Sequence, residues 1–458
     1  MLASFVNNDK VVSMIDGCVW KKILIFTFPI LFGSFFQQLY NTVDAVVVGQ
    51  FLGKAALAAV GGTTGIIFWL LISSFQGLAS GVGVIVSQYV GAGDEKEIKK
   101  SIYTAVIMAV AAGLFLSVAG QLIVEKFLLL LNTPKDIYNF SLVYLRILFA
   151  GVIPNLLYSV GTSILHGMGN SKYPFYFLII STILNIVLDI IFVTVVPLGV
   201  AGVALATILS QTVSTLLIFG YLIFGLHIFS FNRENSKISF LALKKMVYIG
   251  FPAGFQSATL AVTNLFIQSR INILGTDAVA ALAAFSKVGN FYWMTLGALS
   301  ISIVTYSGQN YGAGKLDRVK KGLYQGLLLD VVATVLVGLI FILFGKYLLL
   351  IFVNDREVLR ISMIFLYLNV FSYIFYVPVD IISGILRSTG DVNVPTVLTF
   401  FGICFLSVLW CMFIFPLSPS VITITLCYPA TWMITSVMFI IYFFFYSKLY
   451  KKMYVLPS

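Results

Sequence analysis

From Lys21 onward the chain alternates long apolar runs with short polar interruptions. A helix needs about 20 apolar residues to cross the hydrocarbon core of a bilayer. Runs of that kind occupy residues 23–49, 56–90, 101–124, 140–165, 173–196 and 198–226, then 247–274, 277–307, 322–345, 361–386, 395–417 and 420–446. The pattern predicts an all-α polytopic membrane protein of twelve transmembrane helices, with both termini on one side because the number is even. The first 20 residues are polar, with Asp9, Lys10 and Asp16, and the apolar run behind them is too long for a signal-peptide core. It is expected to stay as the first membrane helix.

The second half of this pattern repeats the first. Ser87-Gln-Tyr-Val-Gly-Ala-Gly93 and the charged stretch Asp94–Lys100 return as Ser307-Gly-Gln-Asn-Tyr-Gly-Ala-Gly314 and Lys315–Lys321. Phe28-Pro29 returns as Phe251-Pro252, Leu52-Gly53 as Leu274-Gly275, and the stretch Ile164–Asn170 as Ile385–Asp391, at offsets of 221–223 residues. A fixed offset is the mark of a duplicated structural unit. Six helices per copy give both copies the same orientation, a pattern found in transporters whose substrate site lies between the halves. The expected organisation is a cytoplasmic amino-terminal segment (1–20), a six-helix bundle (21–226), a linker (227–246) around Arg233, a second pseudo-symmetric six-helix bundle (247–446) and a tail (447–458). Pro29 and Pro252 fall at matching places inside the first and seventh helices, where a missing backbone donor favours a bend.

Composition supports the membrane reading: 60% of residues are hydrophobic and 10% charged, against roughly a quarter charged in a soluble domain. The net charge of +11 does not form a basic surface interleaved with aromatics, so it does not point to nucleic acid. Assigned to alternate loops, 19 Lys and Arg fall on the side of the termini and 6 on the other, which places both termini in the cytoplasm. Cys18, Cys404, Cys411 and Cys427 lack metal-site or disulfide spacing, and His166 and His227 have no partner ligands nearby in sequence. There is no HExxH, GxSxG or P-loop, so no enzyme is expected and no cofactor beyond a coupling ion.

The chemistry lies in polar residues within the apolar runs. Each ionisable side chain at mid-bilayer costs about 2.5–3.5 kcal/mol and so marks a functional candidate. The first span carries Gln37, Tyr40, Asn41 and Asp44 at helical spacing, the fifth carries Asn185 and Asp189 four apart, and the sixth adds Thr207. Carboxylates with amide and hydroxyl oxygens suit either a hard cation or, if the acids approach one another, a carried proton. At the matching places of the second copy stand Asn264, Ile267, Leu406 and Trp410, so the acids are not repeated. The second half has Arg270, Lys287, Asp330 and Asp380 instead, and Asp380 is expected to neutralise Arg270 or Lys287 or to meet substrate. Arg146 is expected to snorkel toward the outer surface. Gln37, Gln256 and Tyr376, on polar-aromatic faces of the first, seventh and tenth spans, are the candidate lining of a substrate cavity, with Asp380 and Arg270 beside them.

Taken together, Tyr40-Asn-Thr-Val-Asp44 with Gly49, Gln88–Gly93, Gln309–Gly314, Asn185-Ile-Val-Leu-Asp189 and Leu386-Arg387 through Asp391 resemble the multidrug and toxic compound extrusion (MATE) family over 21–446. The resemblance implies two six-helix bundles in a V around a central cavity. It implies export of organic, often cationic and aromatic, compounds in exchange for Na⁺ or H⁺ by alternating access. It implies a cation site at Asp44, Asn185, Asp189 and Thr207. Other members use a Glu in the seventh helix; 247–274 contains none, so a cation site of that type is not expected. The expected partners are a small drug-like substrate and membrane lipid, in a bacterial cytoplasmic membrane, with a monomer sufficient. The alternative within transport is a flippase for a lipid-linked precursor of similar fold, with Arg270 and Lys287 as phosphate contacts.

Overall fold

The computed structural model of the chain describes residues 13–61, 63–131, 133–228 and 238–455, and everything said below concerns these. Most of the amino-terminal segment, the linker around Arg233 and the end of the tail lie outside the described residues.

Every regular element is helical. In the first half these are α1 (Val19–Val47), α2 (Gly53–Gly61 and Thr63–Ala92), α3 (Glu95–Leu130), α4 (Lys135–Ala150 and Val152–Gly167), α5 (Lys172–Ile190) and α6 (Val200–Gly220). The second half has α7 (Phe240–Ile273), α8 (Thr276–Gly312), α9 (Leu316–Leu350), α10 (Arg356–Ser372 and Val377–Ser388), α11 (Asn393–Leu417) and α12 (Val421–Tyr446), followed by a short α13 (Lys448–Val455). Nine helices among the described residues are long and apolar enough to cross a membrane, ten with the two segments of α4 taken as one span. Thr63–Ala92 and α7, at 30 and 34 residues, are about 45 and 51 Å long at 1.5 Å per residue, and complete the twelve.

The breaks have local causes. The 51° bend in α4 falls at Gly151, just before Pro154, which cannot donate to the preceding turn. Pro378 opens the second segment of α10 in the same way. The duplication is visible in the backbone: Gly53 and Gly275, Gly93 and Gly314, and Gly169 and Gly390 pair off at the repeat offset, all with φ between 71° and 101°. Only glycine takes that conformation without strain, so each pair marks one turn used twice. Asp94 caps α3 and Asp355 caps α10 by accepting backbone N–H groups.

Burial is inverted relative to a soluble protein. Leu122 on α3 is 72% exposed and Leu343 on α9 is 66% exposed, whereas Asn185, Asp189, Asn310 and Asp330 are fully enclosed. In water each exposed side chain of that size would forfeit roughly 1.5–3 kcal/mol, so these faces belong in lipid. Arg146, expected to snorkel, is exposed and pairs with Glu125.

The chain divides into two units, and the division falls inside α1 and α7. Phe28–Gly254 form the body of one unit; Met14–Thr27 together with Phe255–Ser458 form the other. In the first unit the opening half of α7 lies against α2. A Cβ on Gly77 would stand 2.2 Å from the backbone N of Gly254, and one on Gly81 2.3 Å from the carbonyl O of Met246. Two GxxxG faces thus let the backbones meet directly. Gly61, by contrast, has nothing within 4 Å of its missing side chain, so close packing is not its role. In the second unit the opening of α1 is held on α8 by Thr27 Oγ1 donating to Ser302 Oγ at 2.8 Å. Pro29 and Pro252 lie inside uninterrupted helices within two residues of these handovers.

Candidate functional site

In the first unit α1, α4, α5 and α6 converge on an enclosed polar cluster. Tyr40 and Asp44, four residues apart, put their side chains on the buried face of α1. Asn185 and Asp189 do the same on α5, both with no exposed surface. Thr207 of α6 reaches the cluster while its hydroxyl donates to the Val203 carbonyl at 3.0 Å. The Asp44 and Asp189 carboxyl groups face each other, and the Tyr40 hydroxyl faces Thr207 without closing a hydrogen bond.

The cluster is under-satisfied. Both oxygens of Asp189, one of Asp44, both polar atoms of Asn185 and the Tyr40 hydroxyl are buried with no protein hydrogen-bond partner. No basic side chain acts on either acid. Groups that cost several kilocalories per mole to bury persist unpaired only where something else satisfies them. Two facing carboxylates in a low dielectric demand a positive charge between them, either a proton or a metal cation. The oxygen set of two carboxylates, an amide, a threonine hydroxyl and a tyrosine hydroxyl fits either one.

Packing keeps water from one flank of the cluster. Val47, Val48, Leu148, Val193, Val200 and Val203 form an apolar core with the ring of Tyr144, whose hydroxyl lies near both acids. Just beyond Asp44 the helix passes into a π turn, Val48–Leu52, and just beyond Asp189 into another, Ile191–Val195. Such turns are frequent beside functional sites because they re-aim neighbouring side chains.

Among the other site residues inferred from sequence, Gln37 is half-buried on α1, and Asn41 is exposed and outside the enclosed cluster. On a helix turning 100° per residue, the position three before Asp44 lies at the rim of the face that Tyr40 and Asp44 share. Tyr144 was not singled out in sequence. It is one of 23 tyrosines, and nothing in the pattern of α4 marks it.

In the second unit Asp380 does not neutralise Arg270 or Lys287. Its Oδ1 accepts from Ser300 Oγ at 3.1 Å, and the cation acting on it is Arg387, seven residues further along α10 on the same face. Lys287 is exposed on α8. Arg270 is half-buried beside Cys411, with its Nε unpartnered. Gln256 donates to Thr399 Oγ1 at 2.8 Å and accepts from Arg387 Nη2 at 3.5 Å, so Gln256, Arg387 and Asp380 form one polar chain. Tyr376 packs against Trp293 and Trp432, with ring centroids 5.1 and 5.5 Å away. Asp330 of α9 is fully enclosed, its carboxylate unpaired, near the Tyr292 hydroxyl that donates to the Tyr373 carbonyl at 3.2 Å.

An all-helical membrane protein made of two copies of one six-helix unit, with a facing pair of enclosed acids in one copy, has the build of a membrane transporter. The family model described as MatE matches the chain twice, over 29–191 and 252–413. "Probable multidrug resistance protein YoeA" of Bacillus subtilis is 30% identical over 393 residues, 84% of each chain. "FAD transporter" of Shewanella oneidensis is 25% identical over 358 residues, 76% of this chain and 77% of its own. The solved structure titled "Outward-facing conformation of a multidrug resistance MATE family transporter of the MOP superfamily" superposes with a TM-score of 0.86 at 20% identity, covering 94% of this chain and 96% of that one. The chain belongs to the MatE family, and is an integral membrane protein of the transporter class.

Proposed function

We propose that the protein is a cation-coupled exporter of small organic, cationic or aromatic compounds, and that Asp44 and Asp189, with Asn185 and Thr207, carry the coupling Na⁺ or H⁺. The observation that carries this reading is the facing of two enclosed carboxylates on which no basic side chain acts. A cation or proton entering this site removes the repulsion and satisfies the orphaned oxygens; its departure restores both. Coupling follows if the two occupancy states favour different conformations, since a ligand shifts an equilibrium only by its differential affinity. Antiport by alternating access then needs substrate to bind preferentially when the cation has left. Both termini are assigned to the cytoplasm by the charge bias, in a bacterial cytoplasmic membrane, with a monomer as the working unit and no enzymatic step.

Relatives named for multidrug resistance support a multidrug cargo, and the Shewanella relative named for FAD supports a second reading in which the cargo is a single anionic metabolite. Purified protein in proteoliposomes, loaded with an aromatic cation or with FAD under imposed Na⁺ or H⁺ gradients, separates them. Gradient-dependent movement of the cation that disappears in Asp44→Asn and Asp189→Asn is the expected result. Full activity in both variants returns these acids to a structural role.

A further inference from the structure

The repeated motif, Gln88–Gly93 and Gln309–Gly314, has no part in the ion site, yet its second copy is engaged. The four residues Met14–Gly17, which precede α1, lie on the turn between α8 and α9 in the same unit. The Met14 N–H donates to Gln309 Oε1 at 3.1 Å, and its carbonyl accepts from Asn310 Nδ2 at 3.1 Å and Arg318 Nη2 at 3.2 Å. Lys315 Nζ donates to the Ile15 carbonyl at 3.0 Å and to Asp16 Oδ1 at 2.9 Å, and Arg318 Nη1 donates to the Gly17 carbonyl at 3.0 Å. The Lys315 ammonium holds the Asp16 carboxyl below the usual carboxylate range. Arg318 is itself fixed by its Nε donating to Asn310 Oδ1 at 2.9 Å and by stacking over the Tyr306 ring. Met14 is fully buried although it lies in a polar segment, and Asn310 and Gln309 are enclosed amides. A loose terminus would leave its backbone groups to water; here successive carbonyls are matched to a preformed set of donors.

Around the other copy, Thr104 of α3 contacts the residue before α7, and Tyr89 of the motif contacts the opening turns of α7. Ser239 N–H donates to Thr104 Oγ1 at 3.0 Å, and Lys245 Nζ donates to the Tyr89 hydroxyl at 3.3 Å.

We infer that Met14–Gly17 is a strap, and that the motif on the α8–α9 turn is its socket. The strap holds the foot of α1, so that occupancy changes at Asp44 act on a helix fixed at its far end. The geometry gives the reason. From Val19 to Asp44 α1 is one continuous helix, about 38 Å long at 1.5 Å per residue, and it passes from one unit to the other after Thr27. Pro29 lies between the two ends, and a helix that shifts or bends there carries its foot along unless that end is anchored. Thr27–Ser302 supplies one anchor within the unit, and the strap supplies the larger one. This inference rests on the coupling role proposed for Asp44, and its test separates the two.

The test uses the full chain with Cys18, an exposed thiol beside the strap, replaced by Ser, and with Met14→Cys as the probe. Maleimide labelling of the Met14→Cys thiol is expected to be at least about tenfold slower than labelling of Cys18 in the native chain, as burial of the site requires. Adding Arg318→Ala or Asn310→Ala should remove that protection. The same two substitutions in the native background should lower gradient-driven efflux at least about fivefold, the low end of a coupling effect, while equilibrium binding of the aromatic cation stays within about twofold. If either variant misfolds, deletion of residues 2–17 removes the strap without altering a membrane helix, and the same loss of efflux with retained binding is expected. Labelling as fast as that of Cys18, or an unseated strap with undiminished efflux, overturns the inference. Failure of the coupling reading looks different: Asp44→Asn then exports normally, whatever the strap variants do.

Discussion

The two units share a scaffold and differ in where their charge is kept. Where the first unit has Asp44, the second has the buried Ile267; where the first has Asp189, the second has Trp410, whose indole N–H donates to the Thr423 carbonyl at 2.9 Å. Even the π turn beyond Asp189 has its counterpart at Trp410–Ile414. The second unit places its own acids on α9 and α10, helices whose first-unit equivalents carry Ala109 and Ser159. There Asp380 has a serine hydroxyl and a nearby guanidinium, while the acids on α1 and α5 have neither. Duplication thus preserved the turns and the packing, and the charge chemistry diverged. Asp330 is also enclosed and unpaired, but the nearest acid, Asp380, is not within hydrogen-bonding reach of it, whereas Asp44 and Asp189 face each other directly, and that pair is the one suited to a mobile cation.

The largest effect that can break this contrast is expected in the first unit. Asp44→Asn and Asp189→Asn keep the size of the side chain and remove the charge. Each is expected to reduce gradient-driven efflux by roughly 5–150-fold, the range of a lost coupling interaction. Both should still insert, because an amide is less costly to bury than a carboxylate. Initial efflux rates in proteoliposomes, normalised to folded protein, decide this. Equal losses in Asp380→Asn would erase the difference between the units.

A second contrast concerns the two helix crossings. The α2–α7 crossing is held by glycine backbones in contact, and its counterpart α1–α8 by one hydroxyl pair. Gly77→Ala drives a methyl into the backbone of Gly254 and is expected to cost roughly 1–3 kcal/mol, as overpacking does. Thr27→Ala removes a single interhelical hydrogen bond and is expected to cost about 0.6 kcal/mol, the average for membrane proteins. Thermal denaturation of the purified variants in detergent measures both. A larger shift for Thr27→Ala would reverse the order of the two crossings.

Much of this was legible in the sequence, for physical reasons that also explain the rest. Asp44 and Asp189 stand out because acids are expensive in an apolar run, and the absence of acids at Ile267 and Trp410 is a fact of composition. The duplication is readable because glycines such as Gly53 and Gly275 mark turns that no other residue forms easily. The boundary between the units is not readable. It depends on Gly77 meeting Gly254, a contact between residues far apart in the chain that periodicity cannot register. The partner of Asp380 was within reach, since Arg387 lies two helical turns away on the same face, but Arg270 and Lys287 drew attention by lying deeper in their apolar runs. Tyr144 depends on the rotation of α4 against α1 and α5, which only the packed bundle specifies.

Asp380 and Asp330 are expected to give intermediate effects. Asp380→Asn leaves Arg387 without its nearby carboxylate, although the amide oxygen can still accept from Ser300, so its consequence should fall on stability more than on coupling. Leaving a buried group without its partner costs roughly 1–3 kcal/mol. Asp330→Asn, with no hydrogen bond to lose, is expected to change the melting temperature less than Asp380→Asn does. Efflux coupling measured at matched temperatures below both transitions should remain within about twofold of the native protein, below the usual range for a coupled site.

The smallest effect is expected at Asn41, and it is the most exacting check on how α1 is oriented. The sequence groups Asn41 with Gln37, Tyr40 and Asp44, because all four lie within the stretch 37–44 and carry polar atoms. The structure separates them: Tyr40 and Asp44 are buried, Gln37 is half-buried and Asn41 is exposed. An exposed amide gives the ion no enclosed oxygen, and its loss leaves no orphaned partner behind. Surface substitutions of this kind fall within about 0.5 kcal/mol, or roughly twofold in a rate or binding constant. Asn41→Ala is therefore expected to match the native protein in cation dependence of efflux, whereas Tyr40→Phe, one residue away, removes a hydroxyl that faces Thr207 and should weaken that dependence. Measuring half-saturating cation concentration for both variants sets the rotation of α1 directly. A strong effect at Asn41 with none at Tyr40 would mean that the helix presents its other face to the ion, and the cluster around Asp189 would have to be rebuilt on that basis.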